Sequence, residues 1–205
     1  MPLPMAESRW AESMAAARRS EFAAGRALAR QALAALGARP GVLLPDGDRV
    51  PVWPDGFCGS ISHVRGGGHA LCAVAVAPRS DHCSLGLDIE LDEPLRPRVI
   101  ERVVTPAEVR AAAAAGMSLA DVAVLFFSAK EAVYKAQFPV TRTFLDFADV
   151  EVRLDPDSLG FEATLMTDFA ETPFPRSVTG QLFRGGGLVA AGLALPPTET
   201  RRGSG

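Results

Sequence analysis

The sequence predicts an α+β fold, on three observations. Long stretches near the start and in the middle repeat apolar residues at helical spacing. Several short runs instead alternate at period two between Gly, Pro and Asp turns. A charged, proline-containing segment from Asp92 to Arg98 divides the chain into halves, residues 1–92 and 93–205, and each half holds both patterns.

From about Ala6 to Leu36 the pattern is helical and Ala-rich, in one piece or two, with Gly37 as a stop. Trp10, Met14, Phe22, Leu28 and Leu33 supply its apolar contacts, and Arg18, Arg19, Arg26 and Arg30 fall on one side. Such an arginine stripe is ordinarily a solvated face. Gly41 to Pro54 is turn-rich, with Pro45-Asp46-Gly47-Asp48 as a hairpin tip. Gly59 to His63 alternates as a strand, Val64 to Gly68 reads as a flexible turn, and Ala70–Ala77 and Cys83–Leu91 read as further strands.

In the second half, Thr105-Pro106-Ala107-Glu108 is a helix start, with Thr as N-cap, Pro at the first position and Glu at the third. That helix runs to Gly116. Ser118 and Asp121 form a second capping pair, opening a long helix whose Val122, Leu125, Phe126, Ala129, Ala132, Val133 and Ala136 make one apolar face. After Phe138-Pro139 comes a loop with Arg142, Phe144, Leu145 and Phe147. Residues 150–154, 161–167, 179–183 and 188–195 alternate as strands, and 196–205 reads as a frayed end.

Two places carry chemistry. Asp88 and Glu90 point to one side of their strand, with Cα atoms ~6.5–7 Å apart, and such carboxylates repel unless a cation or proton lies between them. On the long helix Ser128, Glu131 and Lys135 share a stripe away from the apolar face. Brought to the strand, Glu131 would complete an all-oxygen site of the kind that suits Mg²⁺ with substrate phosphates. Taken separately, Asp-x-Glu reads as two solvated carboxylates and Glu131–Lys135 as an exposed i,i+4 pair.

Composition narrows the classes. The chain has 205 residues, 48% hydrophobic, enough for one large domain or two small ones. A net charge of −3 argues against general nucleic-acid binding. Cys58, Cys72 and Cys83 lack metal-ligand spacing and read as buried thiols. No apolar run reaches the ~20 residues of a membrane span, and the start lacks a signal-peptide core, which places the chain in the cytoplasm. Gly59–His63 lacks the second Gly of a nucleophile elbow, and Val64–Gly68 lacks the Gly-Lys-Ser/Thr ending of a phosphate loop.

Gly86-Leu87-Asp88-Ile89-Glu90, followed by Phe127-Ser128-Ala129-Lys130-Glu131-Ala132 and Lys135, resembles the paired signature of the 4′-phosphopantetheinyl transferases. Pro51-Val52-Trp53-Pro54 with Gly59-Ser60-Ile61-Ser62-His63 resembles the block before it, and Arg18 to Arg26 resembles the early basic helix. In order and at family spacing, from about Arg18 to Asp149, these motifs resemble the single-chain branch that includes the enterobactin-synthase and mycobacterial types.

The resemblance implies a pseudo-twofold pair of similar α/β subdomains with the active site between them. It implies Mg²⁺-dependent (or Mn²⁺-dependent) transfer of the phosphopantetheine arm of coenzyme A to a serine of an apo acyl or peptidyl carrier protein, releasing 3′,5′-ADP. Such enzymes serve siderophore, nonribosomal-peptide and polyketide assembly. Asp88, Glu90 and Glu131 would hold the metal, with Glu131, directly or through water on the metal, as base. Arg18, Arg26, Arg49, Ser62, His63, Asp88, Lys130 and Lys135 would contact coenzyme A, with Ser62 and His63 at its 3′-phosphate and Lys135 steadying the leaving phosphate. Arg19 competes with Arg18, being nearer Arg26 in helical phase. An acidic carrier would meet a basic, apolar face, for which Arg98, Arg102, Arg110 and the Phe144 loop are candidates. The chain is expected to be a monomer. The alternatives are a non-catalytic coenzyme A or carrier-binding module, and a Mg²⁺-dependent phosphohydrolase acting on coenzyme A.

Overall fold

The computed structural model describes residues 3–39, 41–66, 69–155, 158–167 and 174–197. The N-terminal helical stretch is two helices, α1 (Met5–Ala11) and α2 (Ala16–Ala35). Gly37 ends α2 at φ +80°, with Ala38 N–H bonded to Leu33 O and Gly37 N–H to Ala34 O, the paired bonds of a Schellman stop. A hairpin follows, β1 (Phe57–Gly66) and β2 (His69–Pro78), then β3 (Ser84–Leu91). Val64, Arg65 and Gly66, expected in a turn, continue β1. Val64 is buried against the core and Arg65 is exposed, so the strand alternation runs on to Gly66. Gly67 and Gly68, the rest of that expected turn, lie outside the described residues.

Three helices come next: α3 (Pro97–Val103), α4 (Pro106–Ala114) and α5 (Leu119–Thr141). The start of α3 lies in the expected linker; Pro97 there is the opening residue of a helix, where its missing N–H costs nothing. The capping box of α4 is made as its sequence predicts: Glu108 N–H donates to Thr105 Oγ1, and Thr105 N–H to the Glu108 carboxylate. Ser118 occupies the N-cap of α5, but its side chain makes no capping bond. Pro139 does not end α5. Proline removes the hydrogen bond to the carbonyl four residues back and crowds that carbonyl, but Pro139 lies in the last turn and the helix continues to Thr141 before Arg142 closes it at φ +55°.

A 3₁₀ turn (Phe147–Asp149) leads into β4 (Val150–Asp155), β5 (Gly160–Leu165), β6 (Ser177–Gly185) and β7 (Leu188–Leu195). These form an antiparallel sheet of order β3-β7-β6-β5-β4, while β1 and β2 form a separate two-stranded sheet. The sequence groups β3 with the first half, yet its ladder is with β7, from Ser84 opposite Leu195 to Leu91 opposite Leu188. The expected frayed end falls mostly on residues 198–205, outside the described residues.

The main core lies between α5 and the five-stranded sheet, with Phe126, Ala129, Ala132 and Val133 against Val189, Ala191 and Leu193. A smaller core, Ala29, Leu33 and Leu43, packs α2 on the β1–β2 hairpin. Gly86 is where β3 meets α5: a Cβ there would overlap the carbonyl of Ala132. Ser84 Oγ donates to Ala136 O (2.7 Å) beside it. This close approach sets the strand's carboxylates against the charged stripe of the helix. Among the described residues no helix is long and apolar enough to cross a membrane.

Candidate active site

At the β3–α5 contact the two sequence signatures meet. Lys135 Nζ lies 2.6 Å from Asp88 Oδ1 and donates also to Ser62 Oγ at 2.9 Å. Ser62 Oγ donates to Asp88 Oδ1 (3.0 Å) and accepts from Ile89 N–H (3.2 Å). Asp88 is 2% exposed, and its Oδ2 is buried with no partner. Glu90 and Glu131 are half-buried beside it. Burial, then the charges of Asp88 and Glu131, push Glu90 up to about 7 against the pull of Lys135. Burial, then Asp88, likewise raises Glu131. Three carboxylates share one ammonium.

That excess of negative charge suits a divalent cation, and the orphaned Oδ2 is a free oxygen for it. The three-carboxylate cage expected from the sequence is nevertheless not preformed: among the described residues no three His, Cys, Asp or Glu side chains stand at ligand spacing. Lys135 holds Asp88 as a cation would, and Mg²⁺ commonly takes only one or two carboxylates, completing its shell with water and phosphate oxygens.

A cavity of about 830 Å³ opens beside this cluster, between α2 and β1 on one side and α5 on the other. This lies within the 300–1,000 Å³ range of small-molecule sites. Arg18, Arg26, Arg49, His63 and Lys135 all line it. Arg26 is buried, with its guanidinium 4.5 Å above the Phe22 ring and Nε donating to Leu43 O (2.6 Å). Burial draws its pKa down to about 10, so it stays charged. Arg18 stands over His63, Nη1 to Nε2 at 2.5 Å. Burial, then the Arg18 charge, hold His63 below its usual range. The ring is therefore a neutral acceptor for Arg18 rather than an imidazolium paired with Glu21, 3.2 Å away. Arg49 sits at φ +67° on the loop over the cavity.

Three expectations change. Ser62 is 2% exposed with its hydroxyl engaged by Asp88, Ile89 and Lys135, not turned to the cavity. Lys130 is buried: its ammonium donates to Val103 O, Glu108 Oε2 and Phe147 O at 2.7–2.9 Å, leaving no N–H for a coenzyme phosphate. Arg19 turns away to the carbonyls of Glu12 and Met14, where it ties the α1–α2 connection.

The sequence reading missed Glu21, which holds Arg18 (3.2 Å) and Arg65 (2.5 Å) at the cavity rim. The Arg18–Glu21 i,i+3 spacing was its only signal. It also missed Tyr134, stacked on Phe138 (5.2 Å) and edge-on to Phe144 (5.9 Å). Tyr134 lines both the large cavity and a 150 Å³ recess bordered by Arg102, Glu131, Phe144 and Phe147. Phe144 is 68% exposed, and Arg102 lies 5.9 Å from the Phe147 ring. Arg98 and Arg110 are exposed on α3 and α4 and do not line this recess.

Most of the chain is similar to known proteins. Residues 6–77 match the model of the 4′-phosphopantetheinyl transferase N-terminal domain, and residues 84–191 that of the 4′-phosphopantetheinyl transferase superfamily. The chain belongs to this superfamily. It is 40% identical over 179 residues to the 4′-phosphopantetheinyl transferase Svp of Streptomyces mobaraensis, covering 85% of this chain and 71% of that protein. It is 36% identical over 203 residues to the 4′-phosphopantetheinyl transferase PptT of Mycobacterium tuberculosis, covering 95% and 84%. Enterobactin synthase component D of Salmonella typhi is 37% identical over 124 residues, covering 58% of this chain and 48% of that protein.

Proposed function

We propose that this chain transfers the 4′-phosphopantetheine arm of coenzyme A to a serine of an apo acyl or peptidyl carrier protein. The observation that carries the reading is Lys135 paired with Asp88 at the edge of an arginine-lined cavity, with Glu131 one turn back on α5 and raised by burial and the charge of Asp88. A phosphate-rich ligand explains Arg18, Arg26 and Arg49 around one space, since guanidinium pairs strongly with phosphate. A phosphate between Arg18 and His63 would raise the imidazole pKa and make the ring a donor.

In the reaction, the serine oxygen of the carrier attacks the pantetheine-side phosphorus. The new O–P bond replaces the bond to the bridging oxygen, whose electron pair leaves with 3′,5′-ADP. Glu131 takes the serine proton, and its raised pKa suits a base working near neutrality. Lys135 stabilises the charge that develops on the leaving phosphate. A bound Mg²⁺ or Mn²⁺, held by Asp88 through Oδ2 with Glu90 or Glu131, would neutralise the pyrophosphate. The carrier would dock where Arg102, Phe144 and Phe147 meet Tyr134 and Glu131, a basic and apolar face for an acidic partner. The chain is read as a cytoplasmic monomer.

The test is release of 3′,5′-ADP from coenzyme A, assayed with and without an apo carrier protein. Release that requires the carrier supports transfer; equal release without it identifies a phosphohydrolase. Binding of coenzyme A with no release in either case identifies a binding module.

A further inference from the structure

A second cavity, of about 540 Å³, adjoins the first. It too has the size of a small-molecule site. Asp88, Glu90, Glu131 and Lys135 do not line it; Val50, Pro51, Gly59 and Pro139 line both cavities and form the wall between them. Trp53 packs against Gly59 in that wall, where a Cβ would stand 2.6 Å from the indole ring, so a side chain at 59 would displace Trp53. Trp53, Val140 and Leu195 give the second cavity its apolar body.

Three charged side chains line it: Asp46, Arg79 and Arg142. Asp46 and Arg142 satisfy each other at 2.7 Å. Arg79 is different. Its Nε donates to Phe57 O and its Nη1 to Cys83 O, each at 3.0 Å, and among the described residues it pairs with no carboxylate. Two main-chain carbonyls fix this guanidinium without neutralising it, and its side chain is exposed. The neighbouring polar groups are already used: Cys58 Sγ donates to His82 O (3.2 Å) and Ser84 Oγ to Ala136 O. One fixed, unpaired guanidinium on an apolar cavity suits an anion with an apolar body, and guanidinium matches a carboxylate with two parallel N–H donors.

We propose that this second cavity binds a small apolar carboxylic acid, with its carboxylate on Arg79 and its hydrocarbon against Trp53 and Leu195, and that the bound acid tightens coenzyme A binding. The coupling rests on the reading that the first cavity takes coenzyme A. Its route is the loop between the two. Pro45 and Pro51 pair across this loop, Asp46 N–H donates to Val50 O (2.8 Å), and Arg142 at the end of α5 clasps Asp46 and Asp48. Arg49 of the loop lines the first cavity, while Val50 and Pro51 also back onto the second. A ligand packed on the back of the loop favours the position in which Arg49 lines the coenzyme side. Such coupling is reciprocal between the two ligands.

The probe is cinnamate, with the neutral cinnamyl alcohol as control, titrated calorimetrically into the full chain with and without saturating coenzyme A. Cinnamate should bind in both cases. Arg79→Gln should weaken it about tenfold, the loss expected for one charge-assisted contact, and the alcohol should bind the native chain correspondingly weakly. Saturating cinnamate should lower the Kd for coenzyme A about fivefold, at the lower end of usual coupling. No cinnamate binding, displacement of cinnamate by coenzyme A, equal binding of the alcohol, or unchanged binding to Arg79→Gln overturns the site. An unchanged Kd for coenzyme A overturns the coupling. Should Arg79→Gln not fold, the contrast between acid and alcohol on the native chain decides. If the native chain binds no coenzyme A, the proposed function fails, and the cinnamate titration still decides the second cavity.

Discussion

Lys135 Nζ and Asp88 Oδ1, 47 positions apart in the chain, are 2.6 Å apart in space. The Lys135 side chain is a quarter exposed and that of Asp88 is 3% exposed, so the pair has one end in the core and one at the cavity. Charge-assisted bonds of this kind are short and geometrically defined. Replacing Lys135 with Met removes the ammonium that balances Asp88, Glu90 and Glu131. The expected outcome is a loss of turnover of about 10²–10³, the usual effect of deleting one transition-state donor, with near-native circular dichroism. Steady-state kinetics against a purified apo carrier check it.

Glu131→Gln keeps the shape of the side chain and removes the proton acceptor. A positioned general base contributes about 10²–10⁴ in rate, so turnover should fall within that range with coenzyme A affinity retained. Near-normal turnover in the variant would remove Glu131 from the base role.

Glu90 makes the metal-free protein pH-sensitive. Its pKa is about 7 when folded, against 4.5 in the unfolded chain. The folded chain therefore keeps a proton that the unfolded chain gives up, and stability falls as pH rises from about 4.5 through about 7. The shift is worth at most about 3 kcal/mol, and partial exposure lowers this to about 1–2 kcal/mol. Urea denaturation in chelator should show that loss between pH 5 and pH 8, and Glu90→Gln should reduce it, leaving the smaller contribution of the likewise raised Glu131.

Lys130 and Glu108 form a buried pair, with side chains 1% and 0% exposed and 2.9 Å apart. Glu108 also accepts from Thr105 N–H and Val152 N–H, so it joins α4 to β4 as well as capping its own helix. Breaking such a pair leaves a buried charge and costs about 3–5 kcal/mol. Lys130→Met should lower stability by that amount, measured by urea denaturation. Variant protein that remains folded should bind coenzyme A with native affinity.

Arg102 is the exposed arginine that borders the recess with Phe144 and Glu131. Arg102→Glu should raise the KM for an acidic carrier about tenfold while leaving the KM for coenzyme A unchanged, since a rim charge acts on encounter more than on chemistry. Steady-state titration of each substrate separates the two.

What was legible in the sequence was local or periodic. The α4 capping box needs residues only three apart, and Asp88 and Glu90 share a face because strands alternate. What was not legible depends on partners far away. The bonds of Ser62 run 26 to 73 positions along the chain, and those of Lys130 run 17 to 27. No spacing rule told that Lys130 turns inward while Lys135 stays at the cavity and Glu131 at the recess beside it. Pro97 and Pro139 misled for opposite reasons: one opens a helix and the other sits within the last turn of one. At Pro97 the missing N–H has no helical partner to lose, and at Pro139 the loss falls in the last turn, so neither breaks its helix.

The most direct test is mass spectrometry of apo carrier proteins incubated with this protein, coenzyme A and Mg²⁺, with and without chelator. The account predicts a gain of ~340 Da on the carrier serine, the mass of the arm moved in the phosphoryl-transfer step, abolished by chelator and by Lys135→Met. An unmodified carrier across the whole panel, with coenzyme A bound by the native chain, would contradict it.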